Sequence, residues 1–203
     1  CADAQFEDDN GLIVIEIESQ PTSDDWVSET NIGGYTGSSY YRWTGPNNFG
    51  TFGEGLLEYR IKVNRTGTYR FIWRSNNTQN VSGEHNDAWL KFPDVPAGDF
   101  YGTRGDSVIY PIGVGLVPTP AGAGGDGWFK IFQSEPEPWS WQAMTSDGNA
   151  HQIYVDFNNP GIYTMQISGR SSDFALDRVV IYHSSINGPT ARDEGNPETL
   201  CTG

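Results

Sequence analysis

Short runs of alternating apolar and polar residues recur along the chain, and each predicts a strand with one buried face. Leu57, Tyr59, Ile61 and Val63 alternate with Glu58, Arg60 and Lys62. Successive strand residues point to opposite faces, so this period of two reads as a half-buried strand. Asn64-Arg65-Thr66-Gly67 follows as a hairpin turn. Tyr69, Phe71 and Trp73, alternating with Arg70 and Arg74, make the return strand. Earlier, Ile13, Ile15 and Ile17 point one way, and Val14, Glu16 and Glu18 the other. Further strands are predicted over 88–92, 128–133, 151–157, 162–168 and 176–182, with Pro160-Gly161 as the tight turn between two of them.

The intervening stretches carry the other message. Residues 19–54 read as long loops with one or two short strands. Residues 93–127 are rich in Gly, Pro and Ala, and a loop of that length in a compact domain is functional or disordered. Residues 1–11 and those after Ser184 read as acidic and polar tails. No helical period of useful length and no internal repeat is present. The pattern predicts an all-β fold, an antiparallel β-sandwich of the jelly-roll kind. It is read as a single domain over 1–203 with its core over about 12–183.

Composition sharpens this picture. The 25 glycines and 12 prolines favour many short strands over long helices, and an aromatic content of 13% argues against a disordered chain. Lys and Arg number 12 against 26 Asp and Glu, a net charge of −14. That balance argues against a basic groove for nucleic acid or anionic lipid. The longest apolar run, Leu12-Ile13-Val14-Ile15, is far too short to cross a bilayer, so no membrane insertion is expected.

Cys1 and Cys201 lie near opposite ends of the sequence. A disulfide between them would close nearly the whole chain as a loop, contributing about 4–5 kcal/mol in the chain-entropy account. Lipidation of Cys1 is the excluding alternative. A bridge suits an oxidising compartment. Asn64-Arg65-Thr66, Asn76-Asn77-Thr78 and Asn80-Val81-Ser82 are possible glycosylation sites. No signal peptide is present, and the sequence is read as starting after one was removed, which gives a secreted or cell-surface protein.

Several segments in this order resemble a β-sandwich carbohydrate-binding module, close to families six and thirty-five. They are Ile15-Glu16-Ile17-Glu18, Gly34-Tyr35 with Ser39-Tyr40-Tyr41, Leu57 to Val63 with Thr66-Gly67-Thr68-Tyr69, Asn86-Asp87-Ala88-Trp89-Leu90, Gly127-Trp128-Phe129-Lys130, and Pro160 to Thr164 with Ser168-Gly169-Arg170-Ser171 and Leu176-Asp177-Arg178-Val179. The resemblance covers roughly 12–183, and the 93–127 insertion departs from it. It implies a secreted, non-catalytic module that binds polysaccharide or oligosaccharide at the loop end of the sandwich, attached to or partnered with a carbohydrate-active enzyme. The matching ligand positions are Tyr40 or Tyr41, then Trp139, then Ser172 or Asp173. Of the neighbours Trp139 and Trp141, Trp141 is assigned to the core. Trp73 and Trp89 are read as packing. Arg170 and Asp173, which flank the last turn, either hold each other or touch ligand.

The chemistry of those residue types agrees with such a role. Flat aromatic faces cover the C–H face of a pyranose, and polar groups beside them read its hydroxyls. Glu16 and Glu18, two residues apart, repel unless something positive lies between them. The resemblance implies a structural calcium held by Glu16, Glu18 and Asp177, with carbonyls of the 33–43 loop completing the oxygen shell. Pairing with Arg178 or Arg42 is the alternative. His85-Asn86-Asp87 is either a solvated turn or part of a binding site, and a lone His is poor evidence for zinc. Arg104-Gly105-Asp106-Ser107 has the form of an adhesion tetrapeptide, but four residues carry little information. No nucleophile elbow, zinc-protease helix or phosphate loop is present, so no catalytic residue is assigned. Two other functions remain open on the same sandwich: a self-assembling structural or adhesive subunit, and a jelly-roll polysaccharide lyase or hydrolase.

Overall fold

The computed structural model describes residues 1–122, 124–134 and 139–202. Within them lie sixteen strands, numbered in chain order. The first eight are β1 (Phe6–Glu7), β2 (Leu12–Glu16), β3 (Trp26–Glu29), β4 (Tyr40–Trp43), β5 (Leu57–Val63), β6 (Gly67–Asn77), β7 (Asp87–Lys91) and β8 (Phe100–Arg104). The others are β9 (Ser107–Ile109), β10 (Gly124–Gly125), β11 (Trp128–Phe132), β12 (Ser140–Trp141), β13 (Met144–Thr145), β14 (His151–Phe157), β15 (Gly161–Ser168) and β16 (Phe174–His183).

The strands form a β-sandwich, as the alternation predicts. One layer runs β1-β5-β15-β7-β11. The other is built on β16, with β6, β14, β8 and β9 following on one side and β2, β4 and β3 on the other. The short β13 joins β11 to β14, so the layers belong to one curled sheet. All pairings are antiparallel except β1 beside β5. The inward residues Leu57, Tyr59, Ile61 and Val63 of β5 meet Phe71 and Trp73 of β6 and Ile153, Val155 and Phe157 of β14 in one core. Trp26 and Trp43 pack edge to face in it, ring centroids 5.4 Å apart. A side chain at Gly169 would overlap the Trp43 ring, so only glycine fits there.

Five sequence expectations change. Residues 1–11 are not a loose tail: Phe6 is fully buried and pairs with Ile61. The segment after Ser184 is also folded against the sheet. It contains a four-residue helix, Gly188–Ala191, and then lies along β2, where Thr199 N donates to Val14 O at 3.0 Å. This cover explains why Val14 and Glu16, expected to face outward, are buried. The strand also stops at Glu16, and Ile17–Ser19 form a 3-10 turn that carries Glu18. The 93–127 segment contains the β8–β9 hairpin, which extends the second layer through β14. Cys1 and Cys201 form a disulfide, with Cα atoms 5.6 Å apart. No helix among the described residues is long and apolar enough to cross a membrane.

Candidate functional site

The expected loop-end aromatics come together, but they close on one another. Tyr40 is 0% exposed and Trp139 9% exposed, and with Ala175 they form a small separate cluster covered by Ile32 and Tyr35. Tyr40 meets Trp139 edge-on at 5.0 Å and Tyr35 at 5.8 Å. Trp139 Nε1 donates to Gly33 O at 3.1 Å, and the Tyr40 hydroxyl donates to Glu29 at 3.1 Å. Burial, then the Glu29 carboxylate, push the Tyr40 phenol up to about 12. Tyr41 is buried in the main core, and its hydroxyl donates to Gln20 O. These rings therefore do not form a solvent-facing platform. Trp141, assigned to the core from sequence, is half-buried at its edge. Pro138, which precedes Trp139 in the sequence, lies outside the described residues.

The remaining expected residues divide between structure and an open groove. Asp173 pairs with Arg42 at 2.6 Å instead of with Arg170. Ser172 N donates to Asn47 Oδ1 at 2.9 Å, and its carbonyl accepts from His85 Nδ1 at 2.6 Å. Arg170 forms an ion pair with Asp87, which also accepts from Ser171 Oγ. The Arg170 guanidinium lies between two rings, 4.7 Å from the Phe49 centroid and 4.9 Å from that of Trp89.

This sandwich of rings and cation forms one wall of a groove of about 480 Å³, lined by Asn47, Phe49, His85, Asn86, Asp87, Lys130 and Arg170 among others. A second hollow of about 310 Å³ shares Asn86, Asp87 and Lys130 and continues to Phe132 and Asp147. Strand alternation builds this surface. Ala88 and Leu90 of β7, with Phe129 and Ile131 of β11, face the core, so Asp87, Trp89, Lys130 and Phe132 face the other way. Phe52 packs on Trp89 at 4.8 Å, and Trp89 Nε1 donates to Asn48 O at 3.0 Å, which ties down the loop bearing Phe49. Phe49 itself is 52% exposed. Lys130 is paired with Asp147. The groove thus offers an exposed ring beside amides and charged groups whose positions are already fixed. His85-Asn86-Asp87 was legible as a candidate in the sequence. Phe49 and Lys130 were not, because neither has a distinctive neighbourhood there.

The three expected calcium ligands gather elsewhere, on the 36–39 loop. Thr36 N donates to Asp177 Oδ1 at 2.8 Å and Thr36 Oγ1 to Glu16 Oε2 at 2.8 Å, while Ser38 Oγ donates to Glu18 Oε1 at 3.1 Å. A side chain at Gly37 (φ +62°) would overlap the Glu18 carboxylate. The ladder between β16 and β6 shifts register at Asp177, a bulge of the kind that re-aims a side chain. Arg178 Nε donates to Glu16 at 2.9 Å, and Arg74 pairs with Asp177 at 2.6 Å and with Glu194 at 3.0 Å. Glu198 accepts from Glu16 N at 2.9 Å. Of these five carboxylates, Glu16, Asp177 and Glu194 pair with the two guanidinium groups, while Glu18 and Glu198 are held only by backbone N–H groups and serine hydroxyls, which leaves a formal excess of −3. Burial raises the fully enclosed Asp177 to about 6. Glu18 Oε2 is buried without a hydrogen-bond partner. The oxygen donor set and this orphaned oxygen fit a hard cation. The three carboxylates do not, however, bring one oxygen each within 4.8 Å of one another.

Of the three sequons, Asn76 is buried within β6 and offers no accessible amide. Asn64 is exposed, but its Nδ2 donates to Glu7 at 2.9 Å, whereas Asn80 lies on an exposed turn.

Curled layers and a bulged final strand, with β2 paired to it, define a β-sandwich. No protein-family profile matches the chain, and no curated protein does. Among solved structures it is similar to a native family 35 carbohydrate-binding module from Clostridium thermocellum, with 14% identity and a TM-score of 0.50, over 85% of this chain and 98% of that one. It is also similar to the GH26-CBM35 β-(1,4)-mannanase of Podospora anserina, with 15% identity and a TM-score of 0.50, over 89% of this chain and 29% of that one. At such identities the likeness is one of fold.

Proposed function

We propose that the chain is a non-catalytic carbohydrate-binding module that takes glycan in the groove beside Phe49. The observation that carries this reading is the exposed Phe49 ring held over Arg170 and Trp89 next to the Asn47, Asn86, Asp87 and Lys130 side chains. Covering part of that ring with a sugar C–H face contributes about 1–2 kcal/mol at roughly 25 cal/mol per Å². The polar groups supply discrimination, because a sugar lacking the matching hydroxyl leaves a partner unpaired. The shared fold with a family 35 module supports the same reading. The disulfide is consistent with a secreted or cell-surface setting. Attachment to a carbohydrate-active enzyme is the natural use of such a module. Affinity electrophoresis against a panel of neutral polysaccharides tests it. At least one should retard the wild type, and Phe49→Ala should abolish most of that retardation. Retardation by none, or full retention in the variant, removes the proposal.

In the same reading, a structural calcium is held by Glu16, Glu18 and Asp177. It would neutralise the excess charge and join β2, the 36–39 loop and β16. A strong chelator should then lower the melting temperature by several degrees, since a ligand bound only to the folded state stabilises it. An unmoved melt together with no metal in elemental analysis leaves Arg74 and Arg178 as the sole counter-ions.

A further inference from the structure

We propose that Ser107, at the tip of the β8–β9 hairpin, is an activated nucleophile that takes up the acyl group of a small carboxylic ester, with His151 as its general base. The site shares no residue with the groove beside Phe49 and stands whether or not that groove takes glycan. Phe100 of β8, Ile109 of β9 and Ile153 of β14 are buried. Arg104, Ser107 and His151 lie two or four residues from them along the same strands, so they share that face of the sheet, at its rim. Arg104 stands opposite Ser107 in the hairpin. Gly102, which pairs with Ile109 on one side and Ile153 on the other, lets the hairpin close on β14. A Cβ there would come within 3.2 Å of His151 Cβ and 3.1 Å of Ile109 and Thr145 side-chain carbons.

His151 Nε2 lies 2.9 Å from Ser107 Oγ, and His151 Nδ1 lies 2.5 Å from Asn149 O. A carbonyl oxygen only accepts, so Nδ1 carries the proton. In the neutral ring the lone pair is then on Nε2, where it accepts from the Ser107 hydroxyl. His151 is 1% exposed, whereas Ser107 is open to solvent. The base is thus shielded from water and gives its lone pair to a hydroxyl that an ester can reach. A nucleophile, a base within hydrogen-bond reach and a third group that orients the base are the arrangement that activates a serine.

Arg104 supplies charge. Its Nη1 donates to Asn149 Oδ1, so Asn149 holds both the guanidinium and the imidazole, and Arg104 forms no ion pair among the described residues. Its positive charge therefore stands across the turn from Ser107, on the side where an oxyanion develops during acyl transfer. In that step Ser107 Oγ bonds the acyl carbon and its proton passes to His151 Nε2. The ester C–O bond then breaks, and the alcohol leaves with that proton. Ser107 ends as an acyl ester, and no other reactant is consumed.

Incubation of the whole protein with p-nitrophenyl acetate, and separately with a fluorophosphonate, tests the proposal. The fluorophosphonate meets the same attack, with fluoride as the leaving group, and it spares lysine amines. Peptide mapping by mass spectrometry should place one acetyl group, or one phosphonate, on Ser107. Labelling there should be at least about a hundredfold faster than in the same chain unfolded in urea, the scale of general-base catalysis. Ser107→Ala, at an exposed position, should fold and lose the label. His151→Gln keeps a hydrogen-bonding side chain but no base, and should slow labelling about a hundredfold. Should His151→Gln fail to fold, the comparison of folded with unfolded wild type carries the test. The proposal is overturned if Ser107 stays unlabelled, or if folded His151→Gln labels as fast as wild type. It is also overturned if the folded protein labels no faster than the unfolded chain, which is the result expected of a hydrogen bond that only latches the hairpin.

Discussion

Around Tyr40 and Trp139 the rings turn edge to face and shut water out, whereas around Phe49 a ring lies open over a cation. Both places gather aromatics beside polar groups on loops. They differ in what lies opposite. Tyr40 faces Trp139, Tyr35 and the small Ala175, and the four fit together. Phe49 faces Arg170, whose charge is already held by Asp87, and the residue is left half-exposed. An aromatic residue in a polar loop becomes a binding surface only where the fold leaves it without an apolar partner.

Substitutions should make that contrast measurable. Trp139→Ala empties the closed cluster, and a buried Trp lost in this way costs about 3–5 kcal/mol. The melt should fall by about 10 °C or more, with the groove's glycan affinity unchanged in the fraction that remains folded. A small melt shift with lost affinity would reverse the roles of the two sites. Arg170→Met keeps the stacked volume but strands Asp87 as a buried, unpaired carboxylate, so thermal unfolding should show a loss of about 3 kcal/mol together with weakened glycan binding. Phe49→Ala should weaken glycan binding by about 1–2 kcal/mol, roughly tenfold, with stability within about 0.5 kcal/mol of wild type. The smallest effect is spectroscopic. The Tyr40 phenol is raised to about 12, above its value near 10 in the unfolded chain. Its contribution to stability is complete below pH 10 and is lost as pH rises from 10 to 12. Alkaline absorbance titration of Tyr40→Phe should therefore lack one late-ionising phenol.

Alternation made β5 and β14 legible, because one face of each strand is buried and the other meets water; the same period found β6, although from Phe71 onward both its faces are covered. It misled at β2, where Val14 and Glu16 are covered by residues 185 and 182 positions further along the chain, Thr199 and Glu198. Spacing singled out Glu16 and Glu18, and the resemblance added Asp177; the fold gathers the three around the 36–39 loop through a 3-10 turn and a bulge instead of one strand face. The proposed glycan groove was harder to see. His85-Asn86-Asp87 and Arg170 stood out separately, with no sign that Arg170 pairs with Asp87, and Phe49 and Lys130 reach the groove from separate segments whose meeting depends on β7, β11 and β15 lying side by side.

The bond between Cys1 and Cys201 makes the polypeptide a covalent ring of nearly its full length. A single cut in an exposed turn, such as the one at Gly105 between β8 and β9, opens that ring without separating two fragments. Nicked protein should therefore migrate as one species under non-reducing conditions and as two after thiol treatment, and a permuted chain with its new ends at that turn should retain the same strand pairing.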